Sequence, residues 1–322
     1  MCTQLRSTPR IAVLYEHPTW FQATFDELQR RGVEVLHWFA PDHVFDPSAP
    51  NPDVDLVLNR MSPSAFTRGN GHTIPYTTEL LDYLKRHGVP VLHGADVYGL
   101  EFSKARQIAL LARLGIAHPR SRVIHHPRQA PRAAAGFTFP VLIKPNVGGS
   151  GAGIRSFDTP DDLAEASASG DIDLGFDGIA LVQERLSPRG GSVVRVEVLG
   201  GRFLYAIELQ LAAPDSFNLC PADACRVPGE VADANDTRAS VRAFEPSDDV
   251  VRTVERLTAA AGIEVGGVEY LIDDRDGRPV FYDVNALSNF VADAPNVIGF
   301  DPVPRFVDHV LGRAAGARTL AA

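Results

Sequence analysis

Lysine is the scarcest cation in this sequence. Basic residues total 31 in 322, yet the lysines are only Lys85, Lys104 and Lys144. Where the chain keeps one, a compact, mobile ammonium can suit the position better than a planar guanidinium fork; a coding bias toward arginine explains the scarcity equally well. Cysteine is scarce too. Cys2, Cys220 and Cys225 are an odd set with no paired spacing, so no disulfide framework is expected and a reducing, cytoplasmic setting is the simplest reading. A basic excess is missing: the net charge of −9 excludes a surface that coats nucleic acid, although it permits a small anion in a local basic pocket. No apolar run approaches the roughly 18 residues of a membrane span, and "MCTQLRSTPRIAVLYEH" does not read as a signal peptide. No repeat or low-complexity tract appears.

What is present is ordinary for a globular protein of about two domains, with 45% hydrophobic and 22% charged residues. "RIAVLY", "VEVLHWF", "DVDLVLNRM" and "VPVLHG" read as strands, alternating with helical "TWFQATFDELQRRG" and "YTTELLDYLKRHG". That rhythm predicts a βαβ unit with a parallel sheet up to about residue 95. "SKARQIALLARLG" predicts a helix capped by Ser103 and stopped by Gly115. "HHPRQAPRAAAG" reads as a proline-rich connection, and "TPDDLAEASAS" as a short helix with a Thr159/Asp162 capping box. "SVVRVEVLGGRFLYAIELQL" reads as a hairpin around Gly200-Gly201 and "SFNLCPADACRVPGEVADANDTRASVRAFEP" as a long loop. "SDDVVRTVERLTAAAG" is a capped amphipathic helix, and "GVEYLID" and "PVFYDVNAL" pair around "DRDG".

"FPVLIKPNVGGSGAGI" sets Lys144 ahead of a glycine run. A Walker A loop needs Gly-Lys-Ser/Thr after its glycines, and Ile154 follows here. A dinucleotide fingerprint must open a helix, whereas "IRSF" is strand-like. A hairpin loop whose bare amides close over a polyphosphate, with Lys144 aimed at it from the preceding strand, fits better; a glycine-rich surface turn is the plain alternative. Near the C-terminus, Asp283 and Asn285 lie two apart on one strand and so face the same way, with Glu269 on the strand before them. If the three converge, their hard oxygens suit Mg²⁺. Acids in so apolar a hairpin need a partner.

Taken together, the lysine of "SKARQ", "FPVLIKPNVGGSGAG", "LVQERL", Arg195 and "VEYLI…VFYDVN" occur in the order of the ATP-grasp superfamily. The chain resembles its RimK-type and glutathione-synthetase-like carboxylate–amine ligases over about residues 95 to 310. The resemblance implies an α/β chain with α+β elements: an N-terminal βαβ pre-ATP-grasp domain (1–97), a central lid with the glycine loop (98–184) and a C-terminal subdomain with the metal site (185–322). It implies that Lys104 and Lys144 reach ATP phosphates and that Gly149, Ser150, Gly151 and Gly153 close over them. Gln183 and Glu184 would approach the adenine amino edge, with Leu186 reading the ring through its backbone. Arg195 would steady the transferred phosphate, and Glu269, Asp283 and Asn285 would hold Mg²⁺, for which Mn²⁺ can substitute.

The implied activity is amide or peptide-like bond formation on a small metabolite or amino acid through an acyl phosphate, releasing ADP and phosphate. A small-molecule kinase and a non-catalytic ATP-binding module are the alternatives. Implied partners are ATP and small carboxylate and amine substrates, without nucleic acid or membrane; homo-oligomerisation stays open. The family often follows its metal asparagine with a Pro-Gly turn, where this chain has "NALSNF", and "SFNLCPAD" replaces an "rGg"-type segment. Ser288 and Asn289 are therefore candidates for contact with a different acceptor, as is Asn218. Arg60, at a strand end where ligands of open sheets gather, could pair a substrate carboxylate or be an ordinary surface arginine. Cys220 reads as a packed thiol, and His17, His72, His125 and His126 lack zinc spacing.

Overall fold

A computed structural model describes residues 8–17, 19–149, 151–211 and 240–321. Its first sheet is built from β1 (Arg10–Tyr15), α1 (Gln22–Arg30), β2 (Glu34–Phe39), β3 (Leu56–Asn59), α2 (Thr73–Arg86) and β4 (Val91–Leu92). The strands are all parallel, in the order β2-β1-β3-β4. Strands buried on both faces read as continuous apolar runs, and β1 and β3 do: Ile11 to Leu14 and Leu56 to Leu58 are inaccessible to solvent. The helix α2 starts at Thr73, three residues ahead of the tyrosine from which the sequence pattern was read. Its early start buries Thr73 and Ile74.

Two helices follow, α3 (Ala95–Glu101) and α4 (Lys104–Arg113). Ser103 caps the second, its Oγ accepting from Arg106 N at 3.3 Å, which satisfies one of the four orphan donors of a helix start. The second sheet consists of β5 (Ser121–Ile124), β6 (Val141–Pro145), β7 (Arg155–Phe157) and β8 (Ala180–Glu184) in the order β5-β8-β6-β7, flanked by α5 (Ala130–Ala134) and α6 (Pro160–Ser169). The Thr159/Asp162 capping box is formed at α6. The stretch read as a proline-rich connection is in fact ordered into a 3₁₀ turn and α5. His126 and Gln129 cap each other's backbone there, and Ala130, Ala133 and Ala134 are small enough to enter the core beneath the sheet.

The third sheet runs β11-β10-β9-β12-β13, all antiparallel. Its strands are β9 (Ser192–Leu199), β10 (Arg202–Gln210), β11 (Ser240–Phe244), β12 (Val265–Ile272) and β13 (Pro279–Asn285), with α7 (Asp248–Ala261), α8 (Ala294–Ile298) and α9 (Val303–Ala321). The long loop expected from the sequence ends earlier than its composition suggested: Ser240 to Phe244 pair with β10. Cys220, Cys225 and the rest of 212–239 lie outside the described residues. Among the described residues no helix is long and apolar enough to cross a membrane.

Period-two alternation divides this sheet's faces. On one, Val194, Val196, Val198, Val268 and Tyr270 pack on α3, α4 and α7. On the other, Val193, Ile207, Val265 and Val280 join the first sheet's Ile11, Val13, Leu56 and Leu58 in one core with α9. The polar residues of the site interrupt this second face.

His93 ties the two sheets. Its ring lies between Asn59 O (Nδ1, 3.3 Å) and Val265 O (Nε2, 3.1 Å), on a left-handed backbone with φ of 63°. Burial and the nearby Arg60 charge push its pKa down to about 3. The unfolded chain takes up this proton below about 6.5, and the folded protein does not until about 3, so stability falls as pH drops through that window. Between pH 7 and 5 this removes about 2 kcal/mol. His93→Asn, which tolerates the backbone, is expected to be less stable at pH 7, with the gap to wild type shrinking by that amount at pH 5. A gap in urea midpoints that stays constant with pH would refute this.

Candidate active site

The hairpin of β12 and β13 sets the geometry. Glu269 pairs in register with Asp283, and Gly267 with Asn285, with an irregularity between Glu269 and Tyr270. That bulge leaves Tyr282 without a cross-strand partner, and bulges re-aim side chains: Tyr282 turns its ring to within 5.7 Å of Lys144 Nζ. Asn285 Nδ2 lies 3.2 Å from Glu269 Oε1 and 3.3 Å from Asp283 Oδ2. Two carboxylates and one amide thus meet at a point.

Each carboxylate has cations from elsewhere in the chain. Arg195, in register with Glu269 on neighbouring β9, donates Nη1 to Glu269 Oε1 at 3.1 Å, Nε to Glu197 Oε1 at 2.6 Å and Nη2 to Ser288 Oγ at 3.3 Å. Gly267 makes room for this: a Cβ there would fall 2.5 Å from Arg195 Nε and 2.7 Å from Glu197 Oε1. Lys144 on β6 and Lys104 at the start of α4 both reach Asp283 Oδ1, at 3.3 and 3.4 Å. They are brought together by Asn146. Its Oδ1 accepts from Ser103 Oγ and Ala105 N, and its carbonyl from Lys104 N at 3.2 Å, which fastens the helix carrying one lysine to the strand carrying the other.

The charges are matched but strained by burial. Burial and the neighbouring Asp283 push the Glu269 carboxyl above its ordinary value, against the pull of Arg195 and Lys144. Burial works against the Asp283 charge as well, yet Lys104 and Lys144 hold its pKa far below the usual carboxylate range. Burial likewise opposes the Arg195 charge, but Glu197 and Glu269 keep it firmly protonated. Lys144 is lowered by burial.

Arg60 lies just beyond the end of β3 and is not at the surface. Its guanidinium is sandwiched by Phe21 (4.9 Å) and Phe306 (5.5 Å). Nη2 donates to Ser288 O at 2.7 Å and Asn289 Oδ1 at 2.5 Å, while Nε and Nη1 are buried without a partner. Burial pulls its pKa down to about 10. Arg60, Ser288 and Asn289 are therefore in contact; Asn218 lies outside the described residues.

The glycines occupy the turn between β6 and β7. Gly151 and Gly153 have φ of 73° and 74°, values that disfavour any residue with a Cβ, and Gly149 approaches Ser64 of the first sheet's loops; Ser150 is outside the described residues. On β8, Gln183 donates to Ser121 Oγ at 2.9 Å, and Glu184 accepts from Thr138 N at 2.9 Å. Leu186 packs at the margin of the large core. Sequence reasoning passed over Glu197, although it alternates with Arg195, and it passed over Tyr282, Asn146, Gln107 and Glu101, whose roles depend on contacts between distant segments.

Residues 102–215 match the model of the RimK-like ATP-grasp domain. The chain is also similar over its length to solved ATP-grasp structures. A RimK-domain ATP-grasp protein from Sphaerobacter thermophilus shares 19% identity with a TM-score of 0.65, covering 94% of this chain and 99% of that one. D-alanine–D-alanine ligase from Bacillus anthracis, complexed with ATP, shares 14% identity with a TM-score of 0.65, covering 98% and 100%. The chain has the ATP-grasp fold. Among curated proteins, a probable alpha-L-glutamate ligase of Teredinibacter turnerae is 30% identical over 138 residues, which is 42% of this chain and 44% of that protein. At these identities the structural likenesses establish the fold alone.

The charge network generates a stability prediction. Arg195→Met leaves Glu197 and Glu269 buried without their cation and is expected to cost about 3–5 kcal/mol in urea unfolding. Lys104→Met should cost clearly less, because Lys144 still compensates Asp283. Equal losses would show that the two cations do not differ in this way.

Proposed function

We propose that this ATP-grasp protein is an ATP-dependent carboxylate–amine ligase that forms an amide or peptide-like bond on a small metabolite or amino acid and releases ADP and phosphate. One observation carries the reading: Lys104, Lys144, Arg195, Glu269, Asp283 and Asn285, drawn from segments far apart in sequence, meet within hydrogen-bonding reach. A surface ion-pair cluster would not be buried this deeply.

The residues present fit a divalent metal. Two carboxylates and a carboxamide supply hard oxygens, and rotating the Asn285 amide would turn its oxygen toward the same point that its nitrogen now occupies. Bound there, Mg²⁺ would neutralise phosphate charge and polarise the phosphoryl group. The chain's own groups do the rest. Lys104 and Lys144, now on Asp283, would hold the nucleotide's phosphates. The glycine turn would close over them, and Gln183, Glu184 and the Leu186 backbone would bound the adenine.

A substrate carboxylate oxygen attacks the γ-phosphorus, and the bond to the β–γ bridging oxygen breaks, leaving ADP and an acyl phosphate. An amine then adds to the acyl carbon, and its proton and inorganic phosphate depart. Charge spreads over the phosphoryl and carbonyl oxygens in these steps, and Arg195 would stabilise it by position. Closure of the glycine turn keeps water from the acyl phosphate. Arg60, a buried cation with unpartnered N–H groups, would receive a carboxylate of the substrate, with Ser288 and Asn289 beside it. No covalent nucleophile is required, and three thiols suit a reducing, cytoplasmic setting.

The test is ATP turnover with Mg²⁺ across amino acids and small carboxylates, with products identified. ADP and free phosphate that appear only with one acid–amine pair are expected. ADP with phosphate retained on the acceptor would replace the ligase by a kinase, and AMP with pyrophosphate would rule out the acyl phosphate. With the pair in hand, Arg60→Met is expected to raise the KM of the carboxylate substrate about 10- to 100-fold, the worth of a charged hydrogen bond, and to leave that of ATP unchanged. An unchanged carboxylate KM would remove Arg60 from recognition.

A further inference from the structure

Among the described residues, no strand lies beside the outer edge of β13. Its backbone groups at the proposed metal positions are taken instead by side chains. Gln107 on α4 donates Nε2 to Val284 O at 2.8 Å and accepts through Oε1 from Val284 N at 3.1 Å. This is the two-bond exchange that a residue of a neighbouring antiparallel strand would make. Two residues on, Ala286 N donates to the Glu101 carboxylate. Gln107 is 2% exposed and Glu101 is 9% exposed, and Gln107 Nε2 is fixed further by donating to Leu100 O at 3.1 Å.

The placement is specific. Val284 stands between Asp283 and Asn285, and Ala286 follows Asn285, so the two side chains grip the segment that bears two of the three proposed metal ligands. An edge strand presents backbone groups that no ladder pairs; the grip engages them where oxygen positions matter most. Gln107 also lies one helical turn beyond Lys104, whose ammonium reaches the same Asp283. The lysine and the metal strand are thereby fixed to one another through α4.

We propose that Gln107, with Glu101, is a positioning residue that sets the pitch of 283–286 so that Glu269, Asp283 and Asn285 hold a divalent metal. The inference rests on the metal-site reading above. Neither residue is among the proposed contacts of the nucleotide or the metal. The amide of Gln107 is what the task requires, since it gives one donor and one acceptor to a single residue's backbone. Methionine of similar length gives neither, and glutamate keeps only the acceptor. Side chains that orient metal ligands in this way are typically worth 10- to 100-fold in metal affinity.

The experiment measures ADP binding to the full chain by calorimetry, with Mg²⁺ and with EDTA, for wild type, Gln107→Met, Gln107→Glu and Leu110→Ala. Leu110 lies on the same helix in the apolar core and serves as a packing control. Mg²⁺ should strengthen ADP binding to wild type, and Gln107→Met should lose at least about tenfold of that gain while its affinity in EDTA is unchanged. Leu110→Ala should melt earlier yet keep the gain. Should Gln107→Met fail to fold, Gln107→Glu, which preserves length and the acceptor, must show the loss. A full Mg²⁺ gain in a folded Gln107 variant, or an equal loss in Leu110→Ala, would overturn the proposal. A wild type that binds ADP no better with Mg²⁺ would overturn the metal-site reading itself, and this inference with it.

Discussion

Three carboxylates, Glu197, Glu269 and Asp283, sit on a sheet face that is otherwise apolar, and their neutralisation is the constraint on which the site depends. An unpaired charge at such a place would cost several kcal/mol, so each acid has to draw a cation to it. Arg195 satisfies two from its own sheet, and the absence of a side chain at Gly267 is what lets its guanidinium lie flat between them. Asp283 draws its cations from further away, from β6 of the second sheet and from the start of α4. Charge pairing thus ties the second sheet to the third, whereas the first and third sheets already share one apolar core.

Two ammonium groups share one carboxylate, so Asp283 is over-supplied with positive charge, while burial pushes the Glu269 carboxyl toward its neutral form. On the proposed reading, a polyphosphate with a divalent metal would resolve both conditions together, the lysines gaining phosphate and the carboxylates metal. Contact between the second sheet's segment and the loops of the first includes an aromatic stack of Phe66 on Phe176 and a small cluster around Val147.

Much of this was legible in the sequence because the decisive signals are local. Period-two spacing put Asp283 and Asn285 on one face, and the Thr159/Asp162 box marked a helix start. Ile154 and the strand-like run after the glycines spoke against two phosphate motifs. The misses have two causes. The α9 helix carries buried Phe306, Val307, Val310 and Ala314 at helical spacing, a signal that was present and unused. No pattern within a segment could have shown that Arg60 is buried, because its two rings come from residues 21 and 306. Gln107 is similarly opaque: in sequence it is one polar residue on an amphipathic helix, and only the edge of β13 gives it work.

After Asn285 the chain has Ala286-Leu287 in place of the Pro-Gly turn that the resemblance implies. Phe290 and Asp293 adopt left-handed backbone, with φ of 61° and 49°, at about 1–3 kcal/mol each for residues with a side chain. Glycine would relieve that strain, yet the chain holds it by contacts: Ser288 Oγ accepts from Phe290 N at 3.0 Å, and Tyr205 Oη from Val291 N at 2.9 Å. Ser288 is held from both sides, its hydroxyl by Arg195 and its carbonyl by Arg60. The loop's shape is therefore set by two guanidinium groups, one belonging to the charge network and the other still short of acceptors. A substrate carboxylate that engages Arg60 would act on the same loop that Arg195 holds, and so would couple its recognition to the proposed reacting centre through a single serine.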